Sequence, residues 1–188
     1  KLPNVATMTG SVRGDDYLSV TANTNGSIDL SGLTTTVEGG GWKYFSAQSG
    51  GTLNLSSLSN AGTFSLGADA STVTLPALTA AKSAVFGASN GGKVLANASS
   101  STYAALNAYN TCGPISLMAA TGVGSQLDLT SLRSFDGSFD DSAGCATWQT
   151  VTASDSGVLK LPSVATMTGP ARGEDYLSVT AITNGSID

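Results

Sequence analysis

The chemistry open to this chain is limited first by what it lacks. Among its 188 residues there is no histidine, which removes the commonest general base and the commonest neutral metal ligand. The carboxylates that remain fall into three groups: Asp15 with Asp16, Asp136 with Asp140 and Asp141, and Glu174 with Asp175. Paired carboxylates can hydrolyse a glycosidic bond, and several oxygens on a tight loop can hold calcium. The stretch DGSFDD at 136–141 supplies oxygens and a glycine, but it has neither the EF-hand order nor the nonapeptide calcium-repeat pattern. Solvation of a surface loop explains it equally well. The chain is therefore read as not an enzyme, with no catalytic residue, metal site or cofactor.

Other short motifs are weaker. Arg13, Gly14 and Asp15 spell an integrin-type tripeptide, yet the second copy of this stretch reads Arg172, Gly173, Glu174. Asn25, Asn54 and Asn97 each begin a glycosylation sequon, an uninformative signal without a source. Net charge is −5 and no basic patch carries interleaved aromatics, which argues against nucleic acid as a partner. No apolar run approaches the roughly 20 residues that a membrane-spanning helix needs. Charged residues make up 11% and aromatics 6%, so neither ion pairs nor a large aromatic core can carry stability. Regular stacking of small aliphatic units is the remaining source.

The elements that would position these residues come from a repeat inside a repeat. Residues 1–29 return as 160–188 with 24 of 29 positions identical, at an offset of 159. Within that period a shorter unit recurs, typified by YLSVTANTNGSIDLSGL at 17–33. Aligned on the alanine closing its first strand, the anchors are Ala22, Ala47, Ala68, Ala88, Ala119 and Ala153, then Ala181. Two residues earlier stand Val20, Phe45, Leu66, Phe86, Leu117, Val151 and Val179. Beyond a polar Gly/Asn/Ser corner come Ile28, Leu53, Val73, Val94, Leu127, Leu159 and Ile187, followed two residues on by Leu30, Leu55, Leu75, Ala96, Leu129 and Leu161. Alternation at period two predicts strands with one buried face. Helical spacing fits nowhere, with the possible exception of 97–113.

Two strands per unit with constant columns predict an all-β, right-handed parallel β-helix (β-solenoid), about six rungs per 159-residue super-repeat. Residues 1–188 form a single continuous segment, 1–159 being one super-repeat and 160–188 the start of the next. At about 4.8 Å per rung, six rungs extend about 29 Å. The pattern resembles parallel β-helix repeat proteins of the secreted bacterial surface and haemagglutinin-like adhesin kind. A leucine-rich-repeat-like solenoid is the alternative, because LDLSGL, LNLSSL and LDLTSL mimic its core. A two-sheet sandwich is a third option.

Tyr17, Trp42, Trp148 and Tyr176 open first strands, where exposed rings could stack on sugar or simply cap a corner. The connections after the second strand are short at 59–62 and 79–82 but long at 97–113, 133–147 and 165–175, and they are expected on one edge. Cys112 and Cys145 precede their anchors by seven or eight residues, which would place them one rung apart, within disulfide range. A disulfide implies an oxidising compartment; two buried free thiols are the alternative.

The expected role is a structural extracellular or cell-surface fibre protein, a segment of a long tandem filament or stalk whose partner is itself. The incomplete copy at 176–188 suggests such continuation. An adhesin module presenting the long-loop edge to glycans or a host or neighbour surface is the alternative, and a polysaccharide-active enzyme the weakest. No membrane span is expected.

Overall fold

A computed structural model describes residues 1–13, 16–105, 113–138 and 146–188. Every strand pairing in it is parallel, and the strands fall on three faces of a solenoid-type, all-β coil. The first face is built from Tyr17–Asn23, Trp42–Gln48, Asn60–Asp69, Ala80–Ser89, Gly113–Thr121, Thr147–Ser154 and Tyr176–Ala181, each paired with the next. The second consists of short strands: Ser27–Asp29, Thr52–Asn54, Thr72–Thr74, Lys93–Leu95, Gln126–Asp128, Val158–Lys160 and Ser186–Ile187. Its ladder is interrupted between Thr52–Asn54 and Thr72–Thr74, beside the corner at Ala70 that is one residue shorter than its neighbours.

The sequence predicts two strands per turn, and the structure has three. The third face contains Thr7–Met8, Thr35–Thr36, the leading parts of Asn60–Asp69 and Ala80–Ser89, Ser101–Ala104, Leu132–Asp136 and Thr166–Thr168. These strands lie inside segments that read as connections, because the strands are short and their inward column changes type from turn to turn: Thr36, Ala61, Ala81, Tyr103 and Phe135 stand in one register. A leucine-rich-repeat arch, with one strand per repeat, does not describe this winding.

The predicted columns are the core. Phe45, Leu66, Phe86 and Val151 are buried, as are Leu53, Val73, Val94, Leu127 and Leu159, and register brings successive members side by side. The L-x-x-L ending has a local cause. Leu33 N–H donates to Leu30 O, Leu58 to Leu55, Leu78 to Leu75 and Leu132 to Leu129, so the same tight turn closes the second corner and points both leucines inward. At the first corner the chain enters the left-handed region at Thr24, Asn25, Ser49, Ala70 and Asn90. The glycine that follows is needed for space. A Cβ on Gly92 would lie 2.0 Å from Ala68 O and one on Gly157 2.2 Å from Ala120 O, the carbonyl of the rung beneath.

One column shifts. The anchor in the fifth unit is Ala120, not Ala119: Ala120 pairs with Ala88 and Ala153, and Met118 with Phe86 and Val151. A bulge between Ser116 and Met118 inserts Leu117 as an extra residue, and both Leu117 and Met118 are buried. Because both residues are apolar, the sequence pattern tolerates either register.

Candidate functional surface

The first strands alternate, so every second side chain points outward. In Trp42–Gln48 the outward set is Trp42, Tyr44, Ser46 and Gln48, while Lys43, Phe45 and Ala47 are buried. Register then builds outward columns across the face. One runs Ser46, Gly67, Gly87, Ala119, Thr152 and Thr180; the next runs Gln48, Asp69, Ser89, Thr121 and Ser154.

The sequence-predicted aromatics sit together at the opening edge of this face, in two groups. Tyr17 meets Tyr44 edge-on at 5.5 Å between centroids, and Tyr44 meets Trp42 at 6.0 Å. Trp148 and Tyr176 stack at 6.0 Å with ring planes 4° apart. Tyr17 is 68% exposed, Tyr176 52% and Tyr44 42%. Tyr44 was not legible in the sequence as a member of this group, although it shares outward parity with Trp42.

Inward parity identifies two further residues that the apolar columns hid. Leu18, Lys43 and Phe64 share one column with Ala84, and Ile115, Gln149 and Leu177 occupy the corresponding positions further along. Lys43 is fully buried, and its Nζ donates to Val37 O, to Gly39 O at 3.3 Å and to Gly62 O at 3.4 Å. Removal from water disfavours its charge and pulls its pKa below the ordinary lysine value. Gln149 is buried and its Oε1 has no partner among the described residues; Asp175 is buried with Oδ1 accepting from Thr147 N–H at 2.7 Å, and its Oδ2 likewise has none among the described residues.

Among the described residues the acidic groups do not assemble. Asp136 Oδ1 accepts from the Ser138 hydroxyl and backbone N–H and from the Thr168 hydroxyl, and these bonds hold its carboxyl below the usual range, the Ser138 hydroxyl contributing most. Its sequence neighbours Asp140 and Asp141 lie outside the described residues, as do Gly14 and Asp15 of the integrin-type tripeptide. In the second copy Arg172 pairs with Glu174 at 2.7 Å. Cys112 and Cys145 also lie outside the described residues. Among the described residues no three His, Cys, Asp or Glu side chains are grouped to hold a metal ion, and no helix is long and apolar enough to cross a membrane.

Among the described residues, the segments at 37–41 and 169–175 each follow a third-face strand and precede the next first-face strand, while most of the long connections expected on that edge, within 97–113 and 133–147, lies outside the described residues. Two turns lack any such segment: Asn60–Asp69 and Ala80–Ser89 pass straight from the third face to the first, bending at Thr63 and Ser83 with φ of 43° and 50°.

The chain matches no known protein-family model, no curated protein and no solved structure.

Proposed function

We propose that this chain is a shaft: a rigid, self-stacking segment of a secreted or cell-surface filament, wound as a right-handed β-helix of six rungs per 159 residues. The observation that carries this reading is how the second copy of the repeat is seated. Residues 160–188 continue all three faces of the preceding turn, with Tyr176 stacked on Trp148 and Asp175 accepting from Thr147 N–H. Residues 1–29 carry nearly the same sequence and hold Asp16 and Tyr17 exposed on the corresponding side. The same stacking contacts would recur at each start of the period. Parallel rungs add strand to strand without limit, since each turn leaves a fresh row of unpaired N–H and C=O groups. Right-handed winding is supported by the strong preference of parallel crossovers for that hand.

A filament built outside the cell also suits Cys112 and Cys145 as a disulfide joining successive corner segments, testable by non-reducing peptide mapping. The decisive experiment compares the 188-residue protein with a chain carrying one additional 159-residue period. Small-angle scattering should show a single rod lengthened by about 29 Å. Two separately tumbling bodies, or a rod of unchanged length, would overturn the reading.

A further inference from the structure

We infer that the outward side of the first face is a binding surface for a neutral, linear polysaccharide. The site is a depression of about 330 Å³ bounded by Ser46, Gln48, Asp69, Ser89 and Thr121 and floored by Gly67 and Gly87. Tyr44 stands two residues before Ser46 on the same side of its strand, bringing the cluster with Tyr17 and Trp42 to one flank.

The two glycines are not explained by the fold. They pair with each other in adjacent strands, neither has a positive φ, and an added Cβ has room at both: at Gly67 the nearest atom is Ser46 Oγ at 3.8 Å, and at Gly87 nothing lies within 4 Å. Glycine inside a strand weakens it, and where backbone geometry does not require it the usual cause is close approach of a ligand or another backbone.

The flanks identify the occupant. Tyr44, on the described turn beside the depression, exposes an aromatic ring, and such a ring accepts the C–H face of a pyranose. The opposite flank offers amide, hydroxyl and carboxylate groups, with Asp69 Oδ1 held by the Asn90 amide at 2.6 Å. That pairing of an apolar ring with fixed hydrogen-bonding groups is what a sugar presents: one apolar face and an equatorial rim of hydroxyls. Among the described residues Asp69 is the only charged one bordering the depression, so a polyanionic chain meets repulsion. Because the depression crosses successive strands, a linear chain would lie along the solenoid axis. This surface is separate from the corner segments and does not depend on filament growth.

The test is isothermal calorimetry of the 188-residue protein with cellohexaose and xylohexaose as neutral probes and an oligogalacturonate as the anionic control. Saturable binding of a neutral hexaose is expected, with the anionic control at least tenfold weaker. Tyr44→Ala and Gly67→Val should each weaken it at least tenfold, and Gly67→Val should do so with an unfolding midpoint no lower than that of the wild type, because a Cβ there has space and a strand gains from losing glycine. Absence of saturable binding by either neutral probe overturns the proposal. So does undiminished binding by Gly67→Val and Gln48→Ala, or a finding by sedimentation that Gly67→Val instead abolishes lateral pairing of copies.

Discussion

The middle turns of this solenoid and the turns on either side solve the same corner in different ways. In Asn60–Asp69 and Ala80–Ser89 the chain bends through one left-handed residue, and the inward position just after the bend is Phe64 or Ala84. Beside them, where a segment is inserted before the first strand, the same position holds Lys43, or Gln149 further along. At the tight corners the flanking carbonyls are taken up by side chains of neighbouring rungs, Gly62 O by Lys43 Nζ and Ala84 O by the Tyr103 hydroxyl. An inserted segment brings backbone oxygens with it. At Lys43 those oxygens are used by an amine; at Gln149 an acceptor faces the interior without a donor among the described residues. Leu18, Ile115 and Leu177 keep the column apolar at the other inserted corners, so the polar residues are particular to the positions of Lys43 and Gln149.

That contrast can be broken in order of size. Phe64 lies between Phe45 at 5.0 Å and Phe86 at 6.2 Å between centroids, so Phe64→Ala should cost about 3–5 kcal/mol of unfolding free energy in a denaturant titration. Lys43→Met keeps the volume but leaves carbonyls without a donor, and should cost about 1–3 kcal/mol. The pH profile separates this effect from packing. Burial lowers the Lys43 pKa in the folded protein, while the unfolded chain holds that proton up to about 10.4. Between those values the unfolded state binds more protons, so stability should rise with pH across that window in the wild type. The Lys43→Met protein should lack that rise.

At the matching position the sign should reverse. Gln149→Met removes a buried acceptor that has no partner among the described residues and should stabilise by about 1 kcal/mol in the same titration. The smallest effect belongs to the shortened corner beside Phe64. Ala70 is exposed with φ of 47°, so Ala70→Gly should be neutral to stabilising by up to about 1 kcal/mol, read from the thermal midpoint.

Much of this organisation is legible in the sequence. The alternating columns through Phe45, Leu66 and Phe86, and through Val73, Val94 and Leu127, are where the structure puts them, because a period of two leaves no choice of face. The third face was hidden because its strands are as short as Thr35–Thr36 and its inward column mixes Thr36, Ala61 and Ala81 with Tyr103 and Phe135, so no residue type repeats along it. Leu117 displaced the register because an apolar residue beside an apolar residue carries no parity information. Lys43 was within reach: it shares parity with Phe45 and Ala47, and only the habit of placing lysine outside conceals it. The depression at Gly67 and Gly87 was legible as two small residues in one column, but its emptiness is a property of space rather than of composition.

The short turns also set how the molecule would yield under load. Between Ala68 and Ala88 one circuit of the coil takes 20 residues and advances the stack by one strand spacing, about 4.8 Å. Pulled straight, the same 20 residues reach about 70 Å. Each rung that peels away would therefore release more than tenfold its own height in slack. A tether made of such coils gives way one loop at a time and lengthens greatly before its covalent chain is strained.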